Sequence, residues 1–268
     1  MMSPIRFGFT ALLVALAATV TQAAPSASRS RAGLASKVDV VPRAAISTIH
    51  GNQIASTESF TLYNNPWGEK YATGGDQTTY LDAAGKGWIA WQSAWTWEGG
   101  DDYVKSYANA VLNGGPTQLS TITSMPTSWN WTYSGQIDKG DVSYDAFLSA
   151  VDSTSQADQK VEVMIWLAAY GGATPIGSPV ATVQIDGINW QVWQGTNEYW
   201  TVFSFLAPST YHHFSGDIKH FFNYLTATFP SVVPASYYLQ TIGAGTEPFT
   251  GSNAWFTVSP YTLSMKTN

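Results

Sequence analysis

Cysteine is absent from this 268-residue chain. Its absence excludes disulfide bonds, iron–sulfur clusters, zinc-thiolate sites and a cysteine nucleophile. Histidine is scarce, and its positions, His50, His212, His213 and His220, show neither HExxH nor another metal-ligand spacing. We expect the adjacent pair His212 and His213 to lie in a polar surface loop, because neighbouring positions rarely ligate one metal together. We therefore expect no metal site.

Charge is also scarce, since charged residues make up 11% of the chain and the net charge is −6. A chain without a basic patch cannot neutralise phosphates, so nucleic acid is excluded as a partner. Hydrophobic residues make up 44%, which is typical of a globular rather than a disordered chain. The 12 Trp, 14 Tyr and 12 Phe could fill a large β core, stack on sugar rings, or do both.

The N-terminus has the features of a secretory signal. Arg6 precedes the apolar run Phe7–Val20, and small residues favour cleavage after Ala23. A membrane anchor is the alternative, but the run is short for a span. We expect residues 1–23 to be a signal peptide, residues 24–49 a poorly ordered linker or propeptide, and residues 50–268 one catalytic domain, secreted and without a membrane contact after signal removal.

Short alternating runs separated by Gly, Pro, Asn and Asp predict an all-β sandwich. The predicted strands are Ser59–Asn64, Gly87–Trp97, Asp102–Leu112, Ser128–Tyr133, Asp141–Leu148, Lys160–Ala168, Val180–Ile185, Ile188–Gln194, Glu198–Phe205, Tyr237–Thr246 and Asn253–Met265. One segment, Asp217–Leu225, has helical periodicity instead, with Ser215 or Asp217 as its cap. We expect a single helix packed on the back of the sandwich.

Aromatic stripes lie on two of these strands. Positions 91, 93, 95 and 97 share one face, as do positions 129, 131 and 133. Such stripes could line a concave sheet, and a place in the core is at least as plausible. The sequon at Asn130 points to the opposite face from Trp129 and Trp131, so its glycosylation depends on which face is buried.

Glu162 is a carboxylate on a strongly apolar strand. Alternation places Val161, Val163, Ile165 and Leu167 on one face and Glu162, Met164 and Trp166 on the other. A charge there is costly unless it has partners or faces a cleft. Pairing with a buried base is the alternative, but only Lys160 is near in sequence. The pattern favours a catalytic carboxylate, with Trp166 available for sugar stacking.

Glu247 lies in Gly243-Ala-Gly-Thr-Glu-Pro-Phe-Thr-Gly251. The glycines allow close approach of a ligand, and Pro248 and Phe249 give the carboxyl group an apolar setting that raises its pKa. An ordinary junction between a strand and a turn could have the same sequence. Together, Glu162 and Glu247 could supply the two carboxyl groups that glycoside hydrolysis needs, one as nucleophile or base and one as a protonated acid. Asp145 could couple to Glu162 or be an exposed residue near a turn.

Several motifs, in this order, resemble fungal glycoside hydrolase family 12 over about residues 57–268. They are Tyr63-Asn-Asn-Pro-Trp-Gly68, Ala94-Trp-Thr-Trp97, Val104-Lys-Ser-Tyr-Ala-Asn109, Ser143-Tyr-Asp-Ala-Phe147, Glu162-Val-Met-Ile-Trp-Leu167, Phe214-Ser-Gly-Asp217 and Gly245-Thr-Glu-Pro-Phe-Thr-Gly251. The resemblance implies a β-jelly roll of two antiparallel sheets with a cleft on the concave one. It also implies a retaining mechanism and no cofactor.

The resemblance implies roles for individual residues. Glu162 matches the nucleophile, Glu247 the acid/base, and Asp145 the aspartate that contacts the nucleophile. The implied substrate-binding residues are Asn65, Trp67, Met164, Trp166, Pro175 and Phe249. Two departures from the family pattern are the cysteine-free segment Ile49–Ser56, which would remove a distal stacking aromatic, and Pro66 in place of the usual leucine.

The sequence favours an endo-β-1,4-glucanase that acts as a monomer on β-1,4-glucan polysaccharide. The form of the segments around Tyr170 and Ala244 resembles xyloglucan-cutting members, and a cellulase acting on cellulose and mixed-linkage glucan is the alternative. A lectin-like, non-catalytic β-sandwich is an alternative of another class, because the fold alone does not imply catalysis.

Overall fold

The protein is described here from a computed structural model over residues 45–268. Its strands are β1 Ser47–His50, β2 Ile54–Ser56, β3 Phe60–Tyr63, β4 Gly74–Gly85, β5 Trp88–Glu98, β6 Ala108–Leu112, β7 Thr117–Gln118, β8 Ile122–Ser124, β9 Pro126–Ser149, β10 Gln159–Tyr170, β11 Ser178–Ile185, β12 Ile188–Thr196, β13 Thr201–Leu206, β14 His213–Asp217, β15 Tyr238–Leu263 and β16 Lys266–Thr267. One α-helix, α1, spans Ile218–Thr228, and short 3₁₀ turns lie at Glu69–Tyr71 and Gln156–Asp158.

Two long strands, β9 and β15, pair along their whole lengths and take part in two packed sheets. The front sheet has the order β2-β3-β6-β15-β9-β10-β13-β12-β11, and the back sheet has the order β1-β4-β5-β15-β9-β14. The halves fold onto each other, since Trp129 in the first half of β9 contacts Tyr144 in the second, with ring centroids 4.9 Å apart. This confirms the predicted jelly-roll sandwich, although β10 pairs with β13 in parallel.

The prediction of two separate strands in place of β9, and again in place of β15, was wrong. The turn-forming residues between the predicted strands bend a continuous strand instead of ending it. Gly135 has φ +82°, and a Cβ atom there would lie 2.0 Å from the carbonyl oxygen of Asn253. Glycine therefore permits the close approach of β9 and β15 at the bend.

The aromatic stripes lie in the core. Trp91, Trp129 and Trp131 are buried between the sheets, and Trp95 and Trp97 form a smaller buried cluster with Ala254. These stripes therefore do not line the cleft. Asn130 accordingly points outward, and its Oδ1 atom lies 2.7 Å from Nδ1 of His213 on strand β14.

Helix α1 follows the predicted periodicity. Asp217 is its N-cap, with Oδ1 accepting a hydrogen bond from the backbone N–H of Lys219 at 2.9 Å. The buried stripe Ile218, Phe221, Phe222 and Leu225 faces the core. Phe221 contacts Trp190 of β12 and Phe205 of β13, at centroid distances of 5.1 and 5.0 Å. The helix thus supports the front sheet from the side opposite to the cleft.

The ordered fold starts slightly earlier than predicted. Strand β1 begins at Ser47 and pairs with β4, so the end of the predicted linker 24–49 belongs to the sheet. The predicted signal peptide and most of that linker lie outside the described residues. Within residues 45–268, no helix has the length and hydropathy needed to cross a membrane.

Some strands differ from the predicted ones because their residues favour turns. Strand β4 begins with Gly-Gly-Asp and went unpredicted, yet it pairs with β5 over its length. Strand β14 contains His213, which we placed in a loop, although both His212 and His213 are exposed as predicted. Of the predicted strand Asp102–Leu112, only residues 108–112 pair; residues 104–107 pack against the site described below.

Candidate active site

The side of the front sheet that points away from the core, where the resemblance implies the cleft, carries a row of acidic side chains. On β9, Val142, Tyr144, Ala146 and Leu148 point into the core. The alternate positions, Asp141, Ser143 and Asp145, therefore face the cleft. Glu162 on β10 and Glu247 on β15 lie on the strands that flank β9. The sheet thus brings together the three acidic residues predicted from the sequence, and it adds Asp141.

Glu162 is half-buried and held by an indole N–H. Trp200 Nε1 donates to Glu162 Oε2 at 2.6 Å, and Asn197 Nδ2 donates to the same oxygen at 3.4 Å. Burial raises the pKa of Glu162 to about 7, and the hydrogen bond from Trp200 opposes that rise. This geometry favours an ionised oxygen held in one place, which suits a nucleophile.

Trp200 reaches Glu162 because the connection between β12 and β13 is a tight turn. Asn197 Oδ1 accepts hydrogen bonds from the backbone N–H groups of Tyr199 and Trp200, both at 2.9 Å. The Trp200 ring also packs edge-on against Phe147 of β9, with centroids 5.6 Å apart. Trp200 and Asn197 were not predicted as site residues, and the predicted strand from residue 198 was wrong at its start, because Asn197 forms a turn there.

Asp145 lies beside Glu162 rather than on the surface. It is 9% exposed, and it pairs in register with Met164 of β10 and Gly243 of β15. Burial, followed by the negative charges of Glu162 and Asp141, raises its pKa well above the usual value. Burial and these charges therefore favour the protonated form of Asp145 beside Glu162.

Glu247 faces Asp141 directly across the ladder of β15 and β9. Burial raises the pKa of Glu247 well above its usual value, and the charges of Asp141, Asp145 and Glu162 raise it further. Such a carboxyl group keeps its proton near neutral pH and can serve as a general acid. Pro248 is buried, and the apolar setting that it was expected to give the Glu247 carboxyl stays a prediction.

A buried lysine holds the segment that carries Glu247. The Lys105 backbone N–H donates to the Pro248 carbonyl at 2.9 Å. Its ammonium donates to the carbonyl oxygens of Gly100, Tyr103 and Phe249 at 2.7, 2.8 and 2.9 Å. Lys105 is 0% exposed. Sequence reasoning treated this lysine only as part of a motif, since nothing nearby in the chain shows that its partners are backbone carbonyls.

Two of the residues assigned to substrate binding are covered. Met164 is 6% exposed and Trp166 is 3% exposed, and they pack with Ala173 and Leu206. The indole Nε1 of Trp166 lies 3.4 Å from Met164 Sδ. Stacking of a sugar on Trp166 was therefore a wrong expectation in this conformation, because the ring is packed against its neighbours. Both side chains instead support the floor of the cleft.

Asn65 and Trp67 lie on a loop attached to the site. Asn65 has φ +47°, a left-handed conformation that asparagine tolerates. Its carbonyl accepts from the Tyr107 backbone N–H at 2.9 Å, and the Tyr107 hydroxyl donates to the Ser143 carbonyl at 3.0 Å. Trp67 is partly exposed. The loop is thus tied to β9 through Tyr107, and Trp67 stays a candidate sugar platform.

Pro175 and Phe249 differ in access. Pro175 is buried in the connection between β10 and β11. Phe249 is half-buried, and the Lys139 ammonium lies 4.8 Å from its ring centroid. Phe249 therefore keeps a partly open ring near Glu247, whereas Pro175 shapes its loop from inside. Across residues 45–268, no group of three or more His, Cys, Asp or Glu side chains is arranged to hold a metal ion.

Comparison with known proteins identifies the family. Residues 58–266 match the model of "Glycosyl hydrolase family 12". The chain belongs to this family. It is 49% identical over 215 residues to xyloglucan-specific endo-β-1,4-glucanase A of Aspergillus aculeatus, covering 79% of this chain and 88% of that protein.

Solved structures of family 12 share the fold. The catalytic domain of Humicola grisea Cel12A, in complex with a soaked thio cellotetraose, superposes with a TM-score of 0.78 at 38% identity and covers 82% of this chain and 100% of that one. Endoglucanase 3 of Trichoderma harzianum also gives 0.78, at 35% identity over 82% of this chain and 97% of that one. The resemblance drawn from the motifs, and with it the glycosidase class, is confirmed.

Proposed function

We propose that this family 12 enzyme is a secreted, retaining endo-β-1,4-glucanase that cleaves xyloglucan as a monomer. One observation carries the proposal. Glu162 and Glu247 lie on strands flanking β9, within electrostatic range of each other, and they have opposite surroundings. Glu162 accepts an indole hydrogen bond that favours ionisation, whereas Glu247 faces a carboxyl group that disfavours it. An ionised nucleophile beside a protonated acid is what a retaining glycosidase requires.

In the first step, the ionised Glu162 attacks the anomeric carbon while Glu247 gives its proton to the leaving glycosidic oxygen. The C–O bond to the leaving sugar breaks as a glycosyl ester forms on Glu162. In the second step, Glu247 removes a proton from water, which attacks the same carbon and releases Glu162. Asp145, protonated beside Glu162, adds no second negative charge next to the attacking carboxylate. Retention requires carboxyl groups ~5–5.5 Å apart.

Xyloglucan is favoured as substrate by the relatives at 49% identity, which are xyloglucan-specific endo-β-1,4-glucanases. A cellulase acting on unbranched β-glucans is the second candidate, because the Humicola grisea structure holds a thio cellotetraose. We expect the glucan chain to bind weakly at the distal end of the cleft, near strand β2. Its residues Ile54, Ala55 and Ser56 provide no aromatic ring there.

The experiment is reducing-sugar release from tamarind xyloglucan, carboxymethyl cellulose and mixed-linkage β-glucan. Glu162→Gln and Glu247→Gln should each abolish release, and Glu98→Gln, at an exposed glutamate, should retain it. The first product anomer, followed by proton NMR, should be β. Fastest release from xyloglucan supports the proposed specificity, and fastest release from carboxymethyl cellulose supports the cellulase. An α product, or two active glutamine variants, would refute the mechanism.

Binding without release would support the lectin-like alternative. Location is tested separately, by expressing the full chain in a fungal host and sequencing the N-terminus of the protein in the medium. We expect cleavage after Ala23, and protein retained in the cell membrane would contradict secretion. Size-exclusion chromatography with light scattering should give one chain per particle.

A further inference from the structure

Asp141 is a buried acid that the two-glutamate mechanism does not use. It is 0% exposed and lies opposite Glu247 in the register of β9 and β15. Its position is fixed from two sides. Ser143 Oγ donates to Asp141 Oδ1 at 2.8 Å, and Thr246 Oγ1 donates to the Asp141 carbonyl oxygen at 2.6 Å. One hydrogen bond therefore holds an oxygen of the Asp141 side chain, and the other holds its backbone beside the segment that carries Glu247.

The second oxygen of Asp141 has no donor group. Oδ2 is buried and receives no hydrogen bond from any neutral or cationic donor within residues 45–268. The Asp141 and Glu247 carboxyl groups lie opposite each other in the register and within side-chain hydrogen-bonding range when one of them is protonated. Two ionised carboxylates in contact away from water would repel each other strongly. The pair must therefore hold one proton between them.

Within residues 45–268, no ion pair joins a cation to either of these carboxyl groups. The titratable groups that face it are Asp145 on β9, Glu162 on β10, and the hydroxyls of Tyr107 and Tyr133. Lys139, two residues from Asp141 on β9, directs its ammonium to Asp102 Oδ1 at 3.3 Å, and Lys105 directs its ammonium to backbone carbonyls. The charges that raise the pKa of Glu247 are those of Asp141, Asp145 and Glu162, which are all negative.

We propose that Asp141 is a positioning residue for the acid/base, and that the two carboxyl groups share a single proton that holds Glu247 protonated and oriented until the glycosidic bond breaks. The inference rests on the proposed role of Glu247. The proton count balances over the cycle. When Glu247 protonates the leaving oxygen, the pair gains one negative charge, and Glu162 loses its charge on forming the ester. When water is deprotonated and the ester is hydrolysed, both changes reverse.

This balance explains why the pair does not block proton release. The charge of Glu162 is one of the causes that raise the pKa of Glu247. That charge vanishes as the glycosyl ester forms, so Glu247 becomes a stronger acid during bond cleavage. Asp141 then makes the resulting carboxylate a stronger base for the water step. One residue thus assists both halves of the reaction through Glu247.

The test compares Asp141→Asn with Asp138→Asn, an exposed aspartate on the same strand. The amide of Asp141→Asn donates to ionised Glu247 and removes the neighbouring charge. We expect the alkaline limb of kcat/KM on xyloglucan to move about 1 to 2 pH units lower. The acid limb, set by Glu162, should stay in place, and Asp138→Asn should match the wild type.

A second readout separates proton donation from folding. With an aryl β-cellobioside whose leaving group is 2,4-dinitrophenolate, departure needs no acid, so Asp141→Asn should change the glycosylation rate little. With 4-nitrophenolate or a sugar leaving group, the rate on the alkaline limb should fall by about tenfold or more. Equal losses for both leaving groups at every pH, or an unmoved alkaline limb with an unchanged Tm, would overturn the inference.

A measurement on the wild type covers the case in which Asp141→Asn does not fold. Carboxyl ¹³C NMR should show Asp141 and Glu247 titrating together, and Glu247→Gln should move the Asp141 midpoint lower. Independent titration of the two groups would overturn the shared proton. The proposed function fails separately, if Glu247→Gln keeps full activity on xyloglucan.

Discussion

The hydrogen bond from Trp200 to Glu162 gives the sharpest prediction about the nucleophile. Trp200→Phe removes the indole N–H that lies 2.6 Å from Glu162 Oε2, and it keeps an aromatic ring against Phe147. A hydrogen bond to a charged group contributes ~1.5–3 kcal/mol. Since 1.36 kcal/mol corresponds to one pKa unit, the pKa of Glu162 should rise by about 1 to 2 from its value of about 7.

The consequence depends on pH. At pH 5, below the pKa in both proteins, the ionised fraction of Glu162 should fall about 10- to 100-fold, and kcat/KM should fall with it. As the pH rises past the new pKa, the ratio of variant to wild type should approach one, because Glu162 is then ionised in both. The assay is kcat/KM on soluble xyloglucan in half-unit steps from pH 4 to pH 9.

Trp255→Phe is the matched control, because Trp255 is an exposed indole on the back sheet. It should leave the whole profile unchanged. A ratio for Trp200→Phe that is below one and constant across the pH range would refute the reasoning, because it would mean that Trp200 orients Glu162 without stabilising its charge. A profile identical to wild type would show that the hydrogen bond is not made in solution.

Three further predictions concern stability. Lys105→Met leaves three buried carbonyls without their donor and should lower the free energy of unfolding by about 3–5 kcal/mol, seen as a Tm well below that of exposed Lys86→Met; an equal Tm would contradict it. Gly87 has φ +77° and open space around it, so Gly87→Ala should lower the free energy of unfolding by about 1–2 kcal/mol. Gly135→Ala should lower it further, because the added Cβ would lie 2.0 Å from a carbonyl oxygen. Burial raises the pKa of Glu162 from 4.5 to about 7, so the unfolded chain releases protons first and Tm should fall from pH 5 to pH 7.5. The Tm of Glu162→Gln should fall less over the same range. A wild-type Tm that rises from pH 5 to pH 7.5, while that of Glu162→Gln does not, would contradict the predicted direction.

The sequence by itself determined the chemistry that is local to a strand. Glu162 stood out because period-two alternation placed a carboxylate on an otherwise apolar strand. The stripe and cap of the helix were likewise local, because residues three and four apart share a helix face whatever the rest of the fold does. The family motifs added the separate roles of Glu162 as nucleophile and Glu247 as acid/base.

The tertiary structure decided the rest, because those contacts join residues distant in sequence. Trp200 reaches Glu162 only through a turn between two strands, and Asp141 faces Glu247 only through the register of β9 with β15. Burial of Trp166, which looked available for a sugar, follows from packing against Ala173 and Leu206. Alternation shows which side of a strand a residue occupies, but only the packed sheets show whether that side is open.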